Sequence, residues 1–393
     1  MAHFLILVSL LLPGELQSSR GDSVNILLSN VKIQIEATEA INNMYNFKFD
    51  QAEMQFRWIR QKYPEHPLPF YLLGLSQWWK IMPNVNNDEW DEAFLNYMNE
   101  SIAKAEILHE NPDGKLEASF FLAVSHGLKG RLYSERGKWG KAANSGRLAI
   151  KYQRESKDLH YLSPEFLFGD ALYNYYSVWI REHYPLLRPI MIPFPKGDKK
   201  LGIEQLRKVA NNAFYTRIEA QLFLMRILAL DEHDLVGALQ VSEYLHKTFP
   251  DNPYFHRFYA RMIYSTGRRS QLEKVCLQIL EKIDSGKLGY EANSGRYAGF
   301  FLGQFYESRG RKSDAKFYYK RAVEFGEEIK AFDSGYFLHS LLQIAKMEEV
   351  DKNYDDAILR LEQIKKYAKR KEPVHKEARS MLKRIKKSRK SSP

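Results

Sequence analysis

The residues whose types and spacing could do chemistry lie together in one predicted helix. Tyr173, Tyr176 and Trp179 recur at i, i+3 and i+6, roughly along one helical face. Asp170 and Asn174 lie on or beside that face and add short polar side chains. Aromatic rings at this spacing usually belong to a core, but a buried carboxylate is costly unless it is paired. Rings with a few polar groups are typical of surfaces that hold an extended peptide or a small polar ligand. We therefore predict that these five residues bind a ligand or partner in a groove, with Asp170 and Asn174 partly accessible.

No other combination of residues has the spacing of a catalytic or metal site. The sequence lacks phosphate-binding and dinucleotide-binding glycine motifs and a Gly-x-Ser-x-Gly nucleophile motif. The closest histidine pair on different helices, His246 and His256, lacks zinc-protease spacing, and each histidine is expected to be capped or at the surface. The only cysteine, Cys276, excludes an internal disulfide. We expect no enzymatic activity, metal ion or cofactor, and we expect the carboxylates to cap helices at turns.

The positive charge of the chain is concentrated at its C-terminal end. The formal net charge is +11, and the excess of Lys and Arg between Lys365 and Lys390 accounts for all of it. The remainder of the chain is nearly neutral, which argues against a nucleic-acid partner. The basic end is either a solvated terminus or a weak contact with an anionic membrane surface. Its last cations are Lys383, Arg384, Lys386, Lys387, Arg389 and Lys390.

The N-terminal residues resemble a secretory signal peptide. An apolar run from Phe4 to Leu12 is followed by small residues around Ser18 and Ser19. The run is too short to span a bilayer, which needs about 20 apolar residues. We expect residues 1–22 to be removed during export and the mature protein to be periplasmic or secreted.

Pairs of amphipathic segments, joined by short turns, recur along most of the chain. In the clearest pair, Gly303 and Tyr306 follow helical spacing, Arg309–Arg311 forms a turn, and Ala315 and Ala322 begin a second stripe. The small residues would allow two helix backbones to approach closely. Similar pairs are centred on Ala52, Ala93, Ala142, Ala238, Leu272 and Ala357.

These residue types and offsets resemble the tetratricopeptide repeat (TPR), a unit of two antiparallel helices. The resemblance implies an all-α, right-handed superhelical solenoid of about eight helical pairs over residues 23–365. Residues 366–393 are predicted to form a basic capping helix and tail, as stacked repeats require. The chain is expected to be a monomer.

An irregular unit at residues 161–199 interrupts the array. It contains the aromatic helix, then an apolar, proline-rich loop at 185–195 that either plugs the groove or forms a docking surface. A helix is predicted to begin at Lys199 after Gly197 and Asp198. The stretch from Lys199 to Leu224 is also similar to the TPR group related to mitochondrial outer-membrane inclusion-clearance proteins.

The function predicted from the sequence is that of an exported, non-enzymatic scaffold that binds a protein or peptide. One alternative is a ligand-binding protein or enzyme that uses an aromatic pocket near residues 166–184. A second alternative is a membrane-surface adaptor that uses the basic tail and the proline-rich loop. An open groove would favour the first function, and a closed aromatic pocket with a buried carboxylate would favour the ligand-binding alternative.

Overall fold

Helices form all of the regular secondary structure in the described part of the chain. The computed structural model describes residues 27–155, 163–185, 188, 192 and 195–391. The predicted signal peptide lies outside these residues, and so does most of the loop at 185–195. Within them there are seventeen α-helices and no β-strand, which confirms the all-α class. The α-helices are α1 (Val31–Tyr45), α2 (Phe49–Lys62), α3 (Pro67–Ile81), α4 (Asp91–Glu110), α5 (Lys115–Glu135), α6 (Trp139–Glu155), α7 (Phe166–His183), α8 (Lys199–Asn212), α9 (Arg217–Leu230), α10 (Leu235–Thr248), α11 (Pro253–Ser265), α12 (Arg269–Asp284), α13 (Ala292–Glu307), α14 (Lys312–Glu328), α15 (Gly335–Val350), α16 (Tyr354–Tyr367) and α17 (Pro373–Ser391).

Each helix packs against the next one in the chain, and the predicted small-residue contact joins α13 to α14. A Cβ atom added at Gly299 would lie 3.0 Å from the Ala322 backbone nitrogen, and one added at Gly303 would overlap the ring of Tyr319. Ala315 and Ala322 are fully buried in α14. The two backbones therefore approach as closely as the sequence pattern predicts.

Glycines in the left-handed conformation end several helices where turns are predicted. Gly137, Gly267 and Gly310 follow α5, α11 and α13 with φ values of 65°, 70° and 73°. Glycine adopts this conformation without the steric penalty that a Cβ would bring. Asp198 accepts hydrogen bonds from the amides of Lys200 and Leu201, and α8 begins at Lys199 as expected.

Residues about 200 positions apart in the chain meet near the N-terminal helices. Asn252, at the start of α11, donates a hydrogen bond of 2.8 Å to the carbonyl oxygen of Tyr45. Arg257 donates one of 3.0 Å to the carbonyl oxygen of Pro83, beyond the end of α3. Trp79 of α3 lies against Tyr45 and Phe255, with ring centroids 5.2 and 5.1 Å apart. Side chains of α1, α3 and α11 therefore pack directly against one another.

The last helix, α17, packs against the two helices that precede it in the chain. Its apolar side chains Val374, Ala378, Met381 and Ile385 are buried against α15 and α16. Arg384, Lys386 and Arg389 form salt bridges to Glu349, Glu362 and Asp355 at 2.6, 3.2 and 2.6 Å. Part of the basic charge is thus engaged within the protein. None of the helices in the described residues is both long and apolar enough to cross a membrane.

Candidate functional site

The predicted aromatic helix is α7, which α8 holds in place along one side. A Cβ atom at Gly202 of α8 would lie 2.8 Å from the backbone nitrogen of Tyr175, so the two backbones are nearly in contact. Gly197 donates a hydrogen bond of 3.0 Å to the Ser177 hydroxyl. Two residues before Gly197, the carbonyl oxygen of Pro195 accepts a hydrogen bond of 2.7 Å from the Tyr173 hydroxyl. The side of α7 that faces away from α8 remains for other contacts.

The five predicted residues do not form one site. Tyr173 and Tyr176 line a cavity. Asn174 instead donates a hydrogen bond of 2.8 Å to Gln205 of α8, and Trp179 donates one of 2.9 Å to Asp231. Asp170 accepts a hydrogen bond from Gln153 of α6 and is only 7% exposed, so the expectation that it is accessible is wrong.

The rotation of the helix explains why Trp179 leaves the cavity face. Each residue advances the helix by about 100°, so six residues place Trp179 roughly 120° away from Tyr173. Seven residues bring the helix almost back to its starting direction. Ile180, at that position, lines the cavity with Tyr173 and Tyr176.

This cavity has a volume of about 580 Å³ and lies among α5, α6, α7 and α9. Helix α5 presents Val124 and Leu128, α6 presents Ile150, and α7 presents Leu172. Phe223 of α9 closes the inner side, with its ring centroid 6.1 Å from that of Tyr176. The volume falls within the range of about 300–1,000 Å³ that is usual for small-molecule sites.

Two glycines help to create this space. Gly127 of α5 and Gly146 of α6 both line the cavity, and a Cβ atom added at either would have no other atom within 4 Å. By contrast, a Cβ at Gly130 would lie 3.3 Å from the Cβ of Ser145, where α5 and α6 touch. The two helices are therefore held together at Gly130, and the glycines beside the cavity leave it open.

A guanidinium group lies at the inner wall of the cavity. Arg131 places its Cζ atom 4.7 Å from the ring centroid of Trp78 and 5.8 Å from that of Phe223. Burial and the neighbouring charge of Arg226 lower the pKa of Arg131. Its Nη2 contacts the Met82 sulfur at 3.6 Å, but its buried Nη1 has no hydrogen-bond partner among the described residues. A cation kept from water in this way is costly without a counter-ion.

The nearest carboxylate is already engaged elsewhere. Glu219 accepts hydrogen bonds from Trp79 at 2.8 Å and from the Tyr45 hydroxyl at 3.3 Å. Burial raises the pKa of Glu219, because its charged form is poorly solvated. Glu219 and Arg131 both line the cavity and attract each other electrostatically, but no salt bridge joins them within the described residues.

A second concave surface crosses α11, α13 and α15, and has a volume of about 590 Å³. We call this surface the C-terminal groove. Its cations are Arg261 and Arg296, and the rings of Tyr297 and Tyr336 lie 4.7 Å apart within it. The Arg296 guanidinium donates to Asn293 at 3.2 Å, while its buried Nε has no partner among the described residues. The groove is also lined by Tyr264, Phe300, Gln304, Ser334, Gly335, His339 and Gln343.

Neither Arg131 nor the C-terminal groove was predicted from the sequence. Interior glycines at Gly127 and Gly146 could have indicated unfilled space within a helical pair, because glycine is unfavourable in helices without a packing reason. Within the described residues, no group of three or more His, Cys, Asp or Glu side chains could hold a metal ion. Comparison with protein-family models and with curated proteins gives no match for this chain.

Proposed function

We propose that this chain is a non-enzymatic scaffold that holds an extended, acidic segment of a protein or peptide in the C-terminal groove. The proposal includes a TPR-like, right-handed superhelix of about eight helical pairs, in which alternate helices line a common surface. The sequential contacts of the helices support it, as do the glycine turns between paired helices. Direct contacts of α13 with both α11 and α15 are also consistent with alternate helices lying side by side.

The observation that carries this proposal is the pair of arginines in the groove. Neither Arg261 nor Arg296 forms a salt bridge within the described residues, although each lies beside aromatic rings in a concave surface. A guanidinium group can donate two parallel hydrogen bonds to a carboxylate. Gln304 and Gln343 add amide groups of the kind that bond to peptide backbones. The groove therefore suits an extended segment with an aspartate, a glutamate or a free C-terminal carboxylate.

Selection from a random peptide library is expected to enrich sequences with acidic residues or a free carboxyl terminus. An enriched peptide should bind the Arg261→Gln variant about tenfold or more weakly, because a charged hydrogen bond is lost. Fluorescence anisotropy with a labelled peptide would measure the change, and higher salt should weaken binding to the wild type.

Arg269→Gln provides the matched control for this experiment. Arg269 is an exposed residue at the start of α12 and does not line the groove. The same loss of charge there should leave peptide affinity unchanged. Enrichment of neutral or basic peptides, or equal binding by Arg261→Gln and wild type, would contradict the proposed groove.

We also propose that the scaffold works in the periplasm or outside the cell. The support is the apolar run from Phe4 to Leu12 and the small residues that follow it. N-terminal sequencing of mature protein from the native host is expected to begin between about Ser18 and Val24. Recovery of the intact Met1 terminus from a cytoplasmic fraction would show that the protein is not exported by this route.

A further inference from the structure

We propose that the cavity among α5, α6, α7 and α9 binds one long-chain fatty acid, with its carboxylate held by Arg131 and the Tyr176 hydroxyl. This site is separate from the C-terminal groove, because the two share no lining residue. It therefore goes beyond the proposed peptide binding and can be tested without it.

The shape of the cavity favours a single extended chain. Its lining runs from Ala123 to Glu135 along α5 and from Phe168 to Ile180 along α7. Twelve helical residues span about 18 Å, so the cavity is long compared with its volume. A fatty acyl chain would fill this narrow apolar space, whereas a compact ring system would leave its ends empty.

The walls of the cavity supply apolar contacts along that length. Val124, Leu128, Ile150 and Leu172 come from three different helices and face the same space. Burial of each methylene group of a ligand against such walls is favourable. The glycines at positions 127 and 146 give the ligand room that larger side chains would occupy.

The Arg131 guanidinium favours a carboxylate over a neutral head group, and the other two charged residues of the lining are Glu135 and Glu219. Arg131 has a buried nitrogen without a partner, and Glu219 is already bonded to Trp79 and Tyr45. The Tyr176 ring lines the cavity beside Arg131, and burial raises the pKa of its hydroxyl although the positive charges of Arg226 and Arg131 oppose that shift. No hydrogen bond to this hydroxyl exists within the described residues. A guanidinium and a phenol can together donate to one carboxylate.

Palmitate is the probe for the test, with hexadecanol as its neutral counterpart. We expect the wild-type protein to bind one palmitate per chain in calorimetry, and to bind hexadecanol at least tenfold more weakly. Arg131→Met retains most of the side-chain volume and removes the charge. It should lower palmitate affinity at least tenfold and leave hexadecanol affinity nearly unchanged.

Substitutions that fill the cavity test whether the fatty acid binds there. Gly127→Leu and Gly146→Leu should each lower palmitate affinity at least tenfold while retaining the helical circular dichroism spectrum, because the Cβ atom at either position would have no other atom within 4 Å and the rest of the side chain would enter the cavity. Gly140→Leu is the matched control, since Gly140 is also in α6 and in open space but does not line the cavity. It should bind palmitate like the wild type.

Four results would overturn the proposal. The first is absence of saturable palmitate binding by the wild type. The second is equal palmitate binding by Gly127→Leu, Gly146→Leu and Gly140→Leu, which would place any bound lipid elsewhere. The third is equal affinity for palmitate and hexadecanol, and the fourth is undiminished palmitate affinity in Arg131→Met. Either of these last two results would show that Arg131 does not hold the ligand by its carboxylate.

Discussion

Replacing Glu165 with glutamine is expected to destabilise the fold by about 2–4 kcal/mol. Glu165 stands at the start of α7, is 1% exposed, and lies opposite the connection between α8 and α9. Its carboxylate accepts hydrogen bonds from the amides of Phe214, Tyr215 and Thr216 at 2.6, 2.9 and 2.9 Å. The Thr216 hydroxyl adds a fourth at 2.6 Å.

The amide of glutamine cannot replace this arrangement. One of its two terminal atoms is an NH₂ group, which would face the N–H and O–H donors of Thr216. A buried donor left without an acceptor incurs the full cost of its lost hydration. The connection between α8 and α9 would loosen, and with it the start of the helix that carries Glu219 and Phe223.

Urea unfolding and amide hydrogen exchange would measure the effect of Glu165→Gln. Exchange should accelerate at the amides of Phe214, Tyr215 and Thr216 before it does so elsewhere, because these amides lose their acceptor. Glu204→Gln, the same change at an exposed position on α8, should alter stability by no more than about 0.5 kcal/mol. Unchanged protection at Phe214 and Thr216 in Glu165→Gln would show that the carboxylate does not anchor the connection.

Local sequence patterns were sufficient to predict the helices and several contacts between neighbours. Gly303 and Ala315 predicted a close helix pair, Asp198 predicted the start of α8, and the apolar stripe on the last helix predicted its buried face. These features depend on residues within one or two turns of a helix, or on the next helix in the chain. Helical periodicity and turn chemistry report such relations directly.

The partners of the buried carboxylates could not be predicted in this way. Asp and Glu were expected to cap helices at turns. Glu219 instead accepts a hydrogen bond from Trp79, 140 positions away in the chain, and Glu117 accepts one from the Leu28 amide, 89 positions away. Periodicity shows which side of a helix is buried, but it does not show which distant helix covers that side. That relation depends on how all of the helices and their connections pack together.

For the candidate site too, the sequence predicted local relations along one helix but not the contacts with other helices. The pattern correctly placed Tyr173 and Tyr176 on a common face, but it included Trp179, which points elsewhere. Asp170 was expected to be partly accessible, because a buried carboxylate is costly unless it has a partner and the local sequence shows none. The partner, Gln153, lies on the preceding helix, and no local pattern identifies it.

Acidification is expected to destabilise the protein because His256 is buried and His246 is partly buried, whereas each histidine was expected to be capped or at the surface. His246 and His256 stack with ring centroids 4.2 Å apart, and the His256 Nδ1 lies 2.9 Å from the Tyr290 hydroxyl. Burial and the charges of Lys282 and Lys247 lower the pKa of His246 from 6.5 to about 4. Burial, His246 and Lys282 lower the pKa of His256 well below its ordinary value.

The direction of the pH effect follows from these lowered pKa values. Below pH 6.5 His246 takes up a proton in the unfolded chain, whereas in the folded chain it does so only near pH 4. The contribution to stability is therefore complete above pH 6.5 and is lost as the pH falls from 6.5 to about 4. For His246 alone the loss amounts to about 3 kcal/mol, because each tenfold change in proton affinity corresponds to about 1.4 kcal/mol.

Urea unfolding at pH 7 and at pH 4.5 would measure this loss in the wild type and in His246→Gln. The variant lacks one buried titrating group, so its stability should fall by about 2–3 kcal/mol less than that of the wild type. His339→Gln is the control, because His339 is exposed and its removal should leave the pH dependence unchanged. If His246→Gln and wild type lost the same stability on acidification, the stacked histidines would not be responsible. A smaller loss in His246→Gln alone would assign the acid sensitivity to the contact between α10 and α11.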